Sequence, residues 1–265
     1  MRQFGKTDRP LKYLFGLLMS GLIVWSFLVP DDPEFQHPAA ARIFFWHFPC
    51  PMMLTVFMFL GCYFSLRYFV DVKSPHKLAI RPEQDARKRE LWDLKACSAL
   101  EIGLIFAILT LVSGMLFSSV TWGALWQSDP RQTSFLLALL IYGGYFALRS
   151  AFSDPIKRAA SCAAYMLAAT LPLTFLIFVF PRLPQIAASS FHPTNTIMEG
   201  RLQGQYGQVI VCLLIMVTIL ATWIYRMRVK VGLLLLKQQH GTLEIDRGRS
   251  RPTVMVRPVR LSHED

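Results

Sequence analysis

Charge is what this sequence has least of: Asp, Glu, Lys and Arg make up 17% of its 265 residues, against roughly 25% in an ordinary soluble domain. That shortage removes the solvated surface a water-soluble fold needs. Acidic residues are the scarcer sign, 17 against 28 basic ones, which leaves a formal net charge of +11. Paired cysteines are missing too. Cys50, Cys62, Cys97, Cys162 and Cys212 stand singly in or beside apolar stretches, with no Cys-x-x-Cys anywhere. This argues against thiol–disulfide exchange and for thiols packed as small hydrophobes. A Gly-x-x-x-x-Gly-Lys-Ser/Thr loop is absent, so nothing here resembles an ATPase. The strict apolar/polar alternation of a membrane β-barrel is absent as well.

What is present is apolarity in blocks: 53% of the residues are hydrophobic. Six blocks stand out, at 11–29, 43–70, 96–117, 134–148, 159–180 and 208–225, the fourth being the shortest. A bilayer core of roughly 30 Å takes about 20 helical residues. Within lipid each backbone N–H and C=O must be bonded inside its own segment, so helices are the default for all six. The expected fold class is therefore all-α, a polytopic membrane protein of about six transmembrane helices. The first block follows Arg2, Lys6, Arg9 and Lys12, as a signal peptide would. It is nevertheless long, and it ends in Val29-Pro30-Asp31-Asp32-Pro33 without an Ala-x-Ala cleavage site, so it is expected to remain as a membrane helix.

The basic residues report orientation rather than nucleic-acid binding. With six spans, both termini and the even-numbered connections share one side, and 24 of the 28 Lys and Arg residues fall there; only Arg42, Arg131, Arg182 and Arg201 fall opposite. The positive-inside rule makes the crowded side cytoplasmic. The loops 30–42, 118–133 and 181–207 then face the periplasm or exterior, and the inner membrane is the expected location. One membrane domain is expected over 1–239. Its last part, 226–239, would extend the sixth helix along the membrane surface. A basic tail without regular structure is expected over 240–265.

The outer loops are rich in Trp, His, Pro, Gly and amides and poor in charge, a composition suited to a ligand. Of six histidines, His76, His240 and His263 lie on the basic side, and His37 in a proline-rich outer linker reads as solvated. The two with more particular settings are His47, in Arg42-Ile43-Phe44-Phe45-Trp46-His47-Phe48-Pro49 at the outer end of the second helix, and His192, in Ser190-Phe191-His192-Pro193 before the sixth. Neutral imidazole ligates iron, zinc or copper, and two histidines arriving from distant parts of the chain could hold one iron axially. Zinc lacks further suitable ligands nearby. Glu101 is an acid about one turn into the third helix, near enough to the interface to snorkel.

Between the histidines lies Trp122-Gly123-Ala124-Leu125-Trp126-Gln127-Ser128-Asp129-Pro130-Arg131-Gln132-Thr133. It resembles the tryptophan-rich segment of the haem-handling cytochrome c assembly family, W-G-x-x-W-x-W-D-x-R-L-T. Trp122, Gly123, Trp126, Asp129, Arg131 and Thr133 match that pattern, whereas Ser128 replaces a tryptophan, Pro130 separates Asp from Arg, and Gln132 replaces leucine. Arg42 with His47, the place of His192 and the six helices are similar to the CcmC branch along nearly the whole chain.

The resemblance implies that His47 and His192 are axial ligands of a non-covalently held haem b, with the tryptophan-rich segment as a platform for the porphyrin. Without Cys-x-x-Cys-His, covalent c-type attachment to this chain is excluded. Arg42 and Arg131 are candidates for the haem propionates, since a guanidinium grips a carboxylate bidentately; ordinary interfacial cations are the other reading. Asp129 reads equally as a ligand-site residue or as the cap of the helix that opens near Thr133.

The function so implied is delivery of haem at the periplasmic face to a chaperone of the CcmE kind in c-type cytochrome maturation. It would work alongside ABC transporter subunits and a small membrane partner of the Ccm system, and would not itself be an enzyme. Two alternatives are half of a CcsA-type cytochrome c synthase and a bis-histidine b-type electron carrier. Both usually place histidines inside helices, and no histidine lies in a helix interior here.

Overall fold

The computed structural model describes residues 9–30, 38, 42–71, 82–192 and 204–249, which are helical with short connections and no strand among them. Among the described residues, eight α-helices run in chain order: α1 Arg9–Leu28, α2 Ile43–His47, α3 Pro49–Val70, α4 Pro82–Trp122, α5 Pro130–Ala151, α6 Pro155–Thr174, α7 Pro184–Ala188 and α8 Gly204–Arg249. They supply six segments long and apolar enough to cross a membrane, Pro10–Leu28, Ile43–Val70, Asp85–Trp122, Pro130–Ala151, Pro155–Arg182 and Gly204–Gly241. The chain is a multi-pass membrane protein. Leu17, Ile105, Leu116, Leu140, Leu171 and Ile219 are among many large apolar side chains left exposed on the helices, as a lipid-facing surface requires.

The central pair is α3 and α4. On one side α5 and α6 close a core of Leu54, Met58, Leu100, Ala138, Tyr142, Tyr145, Cys162 and Met166. On the other, α8 packs through Ala221 against Met53, Phe57 and Ile102, and α1 and α2 lean on α8 through Leu22, Val29 and Phe45 against Tyr206, Val209 and Leu213. Hydrophobicity cannot drive helix association in lipid, so small residues and satisfied polar groups do more of it. The Tyr142 hydroxyl lies against Gly103 and donates to the Leu100 carbonyl at 3.1 Å. The Tyr165 hydroxyl lies against Gly144 and donates to the Ile141 carbonyl at 2.7 Å. In each case the missing Cβ lets a phenol reach a neighbouring backbone.

Several boundaries differ from the apolar blocks because hydropathy reports burial in lipid, not helicity. α4 begins at Pro82 rather than near 96, and α8 continues to Arg249. At 41 and 46 residues they are about 60 and 70 Å long, twice a bilayer core. Their polar ends pack together: Gly232 meets Leu94, and His240 Nε2 is 2.8 Å from Glu90. α5 starts at Pro130, four residues before its block, since Arg131, Gln132 and Thr133 form a polar first turn. In α6, Pro172 lies inside the helix, and a π-turn, Phe175–Val179, and a 3-10 turn, Phe180–Arg182, follow it. Proline has no N–H to continue the ladder, and such wider turns absorb the mismatch.

Two ion pairs lock the end of the bundle that carries most of the basic residues. Arg149 grips Asp93 with two contacts of 2.8 Å, and Arg228 grips Glu101 at 2.6 and 2.8 Å. Glu101 is thereby fixed to α8 rather than reaching for the interface. The remaining loops and helix ends gather at the opposite end, the histidine end.

Candidate histidine site

The Trp122 to Asp129 loop owes its shape to two backbone conformations and a set of side-chain hydrogen bonds. Gly123 ends α4 in the left-handed region, φ 83°, and donates to the Ser119 carbonyl at 3.1 Å; an L side chain disfavours this conformation. Ser128 is also left-handed, φ 53°. Ser118 Oγ donates to the Ala124 carbonyl, Gln127 Nε2 to the Trp122 carbonyl and Gln132 Nε2 to the Leu125 carbonyl, while the Gln127 amide donates to Gln132 Oε1. The loop holds Trp126 and Leu125 exposed and turns Trp122 inward.

Asp129 is the hub. It is 2% exposed and caps α5, accepting from the Arg131 amide at 2.7 Å. It also accepts from Ser190 Oγ at 2.9 Å and from the Phe191 amide at 2.6 Å, which ties the segment before the sixth span onto the tryptophan-rich loop. The cap reading of Asp129 holds, and the same carboxylate also joins two segments of the histidine end. Burial opposes its ionisation, yet the contacts from His192, Arg131, Phe191 and Ser190 outweigh burial and hold the carboxyl well below the usual carboxylate range.

His192 stands against this hub. Its Nδ1 is buried without a hydrogen bond, 3.6 Å from Asp129 Oδ1, an ion-pair approach just beyond hydrogen-bond length. The edge of its ring meets Trp122 at 5.0 Å between centroids, and Phe191 and Phe117 pack on the same indole at 5.8 Å. Trp122 thus orients a histidine as well as offering an apolar face.

His47 comes from the other side. It ends α2, and its Nδ1 is 2.9 Å from Ser113 Oγ on α4. A Cβ at Gly114 would lie 3.2 Å from its Cε1, so the ring rests on the α4 backbone. Nine residues of α4 separate Ser113 from Trp122, about 13 Å along the axis.

For His47 the hydrogen-bond roles set which nitrogen the ring presents. Ser113 Oγ has one proton, and its 2.6 Å contact with the Leu109 carbonyl uses it. Toward His47 the hydroxyl must then accept, so Nδ1 carries the proton. His47 thus presents Nε2 as a lone pair, the arrangement in which a second group fixes a metal-binding imidazole. Among the described residues no three of His, Cys, Asp and Glu converge as a metal group.

The arginines divide. Arg42 Nη1 donates to the Ser26 and Phe27 carbonyls at 3.2 and 2.7 Å, joining α2 to the end of α1. Arg131 follows the Asp129 cap, its Nε buried without a partner, and Arg182 stands on a turn packed against α5. His37 lies outside the described residues. Sequence reasoning missed Ser113, Ser190, Phe191 and Arg182. Ser190 and Phe191 sit beside His192 and were findable as its neighbours; Ser113 and Arg182 carry no local signal.

A family profile described as Heme exporter protein C matches residues 5–242. Among curated relatives, the Heme exporter protein C of Bradyrhizobium diazoefficiens is 31% identical over 175 residues, 65% of this chain and 60% of the relative. That of Paracoccus denitrificans is 29% identical over 137 residues, 52% and 49% of the two chains. That of Escherichia coli K12 is 29% identical over 147 residues, 54% and 51%. The chain spans about half to three-fifths of the length of these relatives. The profile takes in all six spans together with the tryptophan-rich loop and both histidines, and the chain belongs to the Heme exporter protein C family.

Proposed function

We propose that this protein holds haem as cargo at the histidine end, between Nε2 of His47 and Nε2 of His192, and passes it to a haem chaperone of the CcmE kind during c-type cytochrome maturation. The observation that carries this reading is the pair of histidines from distant segments, His47 held on α4 by Ser113 and His192 set between Trp122 and the Asp129 hub. The surroundings fit the cargo: Trp122, Trp126 and Leu125 offer apolar area to a macrocycle, and Arg131 with Arg182, together with Arg42, bring guanidinium groups to the same end for propionates. The haem is non-covalent, as release demands. The basic end is cytoplasmic, the histidine end periplasmic, and the membrane is the inner one. ABC subunits and a small membrane protein of the Ccm system are its proposed partners.

The test is the absorption spectrum of detergent-purified protein expressed with ample haem. A Soret band in wild type that weakens in both His47→Ala and His192→Ala is expected. A wild type without one, or a band indifferent to both substitutions, would sink the proposal.

A further inference from the structure

We propose that the basic end of the bundle holds an anionic phospholipid, its headgroup phosphate gripped by Arg67 on α3, Arg89 and Lys95 on α4 and Arg158 on α6. These cations gather around one aromatic contact. Trp92 on α4 packs with Tyr68 at the end of α3 and with Ala159 and Ala160 near the start of α6. Arg67 lies over the Trp92 ring at 4.9 Å and Lys95 at 4.7 Å. Arg89 precedes Trp92 by about one helical turn, which sets the two on one side of α4, and Arg158 adjoins Ala159.

What marks the cluster is its want of counter-charge. The described carboxylates at this end are already engaged: Asp71 by Arg67 and the Trp92 indole, Asp85 by Lys88, Glu90 by His240, Asp93 by Arg149, Glu101 by Arg228, and Asp154 by the first amides of α6. None of them pairs with Arg89 or Arg158, and the Nε atoms of Arg67, Arg89 and Arg158 are all buried without a hydrogen-bond partner. A guanidinium withdrawn from water without an anion is costly, and phosphate oxygens would supply the missing acceptors. The place of the cluster selects the kind of anion. Arg67 stands in the last turn of α3, where a membrane span ends, beside an indole suited to the headgroup level. Leu66 and Val70 on α3 and Ile156 on α6 are exposed at the same helix ends. A soluble anion would use only the cations, whereas a phospholipid uses the cations for its headgroup and the apolar flank for its chains.

The full chain, purified in detergent and delipidated, is titrated with phosphatidylglycerol, with phosphatidylcholine of the same acyl chains and with inorganic phosphate while Tm is followed. A ligand of the folded state raises Tm with its concentration, and only phosphatidylglycerol is expected to do so. Arg89→Gln combined with Arg158→Gln should raise the half-maximal lipid concentration about tenfold. Arg87→Gln combined with Lys237→Gln removes the same charge from exposed positions at the same end and should leave that concentration unchanged. Should the first pair fail to fold, Arg89→Gln alone is expected to give a smaller loss of the same sign. Equal losses in the two pairs would mean diffuse attraction to a basic surface, and an equal rise with phosphatidylcholine or with phosphate would mean a different ligand. Either result overturns the inference, as does an affinity indifferent to Arg89→Gln, and none of them touches the haem reading.

Discussion

Single residues decide whether the histidine end holds its shape, and Asp129 does the most. It caps one helix, receives a second loop and faces His192. Asp129→Asn keeps the volume but sets an amide against donors, and should lower the stability of the ligand-free protein by about 2 kcal/mol, read as a fall in Tm in detergent. Because the folded carboxyl lies below the ordinary range, its contribution is complete above the unfolded pKa of about 3.9 and is lost as pH falls toward the folded value. The Tm gap between wild type and variant should thus stay constant from pH 8 to about 5 and narrow only in stronger acid. Arg131 is testable from the side of the cargo. Arg131→Gln should weaken haem binding about tenfold yet leave haem dimethyl ester, which lacks the carboxylates, nearly unaffected.

At the scale of elements, close packing replaces the hydrophobic effect. Gly103→Val would drive the Tyr142 phenol away from the Leu100 carbonyl and leave a buried hydroxyl unpaired. A loss of about 2–3 kcal/mol is expected, with Tm falling more than in Gly16→Val, where nothing stands within 4 Å. The tryptophan-rich loop is latched by Gln132, which accepts from one backbone amide and donates to one carbonyl across the turn. In the related pattern leucine stands at this position. Here the apolar contact is replaced by a polar latch, so Gln132→Leu tests whether the departure matters: release of the loop should speed proteolysis near Leu125 and Trp126.

For the molecule as a whole, α4 is the mast that α2, α3, α5, α6 and α8 touch, while α1 leans on α8. Arg149 with Asp93 and Arg228 with Glu101 pin α5 and α8 to it at the basic end, while His47 and the Asp129 hub meet it at the other. Asp93→Asn would leave a guanidinium that is 19% exposed without its partner, costing about 3 kcal/mol. Asp93→Asn combined with Arg149→Met should recover much of that loss, measured by thermal unfolding in detergent. Charge sets orientation: in a chain with the native cysteines replaced, a membrane-impermeant thiol reagent should reach a cysteine introduced at Ser128 from outside intact cells, and one at Ser153 only after permeabilisation.

Composition and apolar blocks by themselves determined the class, the six spans and, through the tally of basic residues, an expected orientation, because a bilayer demands long apolar helices whatever their partners are. The two histidines and the tryptophan-rich segment could be singled out as candidates, since residue type and local pattern point to ligand chemistry. What only the tertiary structure decided is everything that depends on one helix meeting another. Ser113 is an ordinary helical serine until α2 lays His47 on it. Glu101 is an isolated acid until α8 brings Arg228, and Asp129 is a helix cap until the segment after α7 folds onto it. Those contacts join residues 61 to 127 positions apart, a separation at which no local pattern in the chain records the partner.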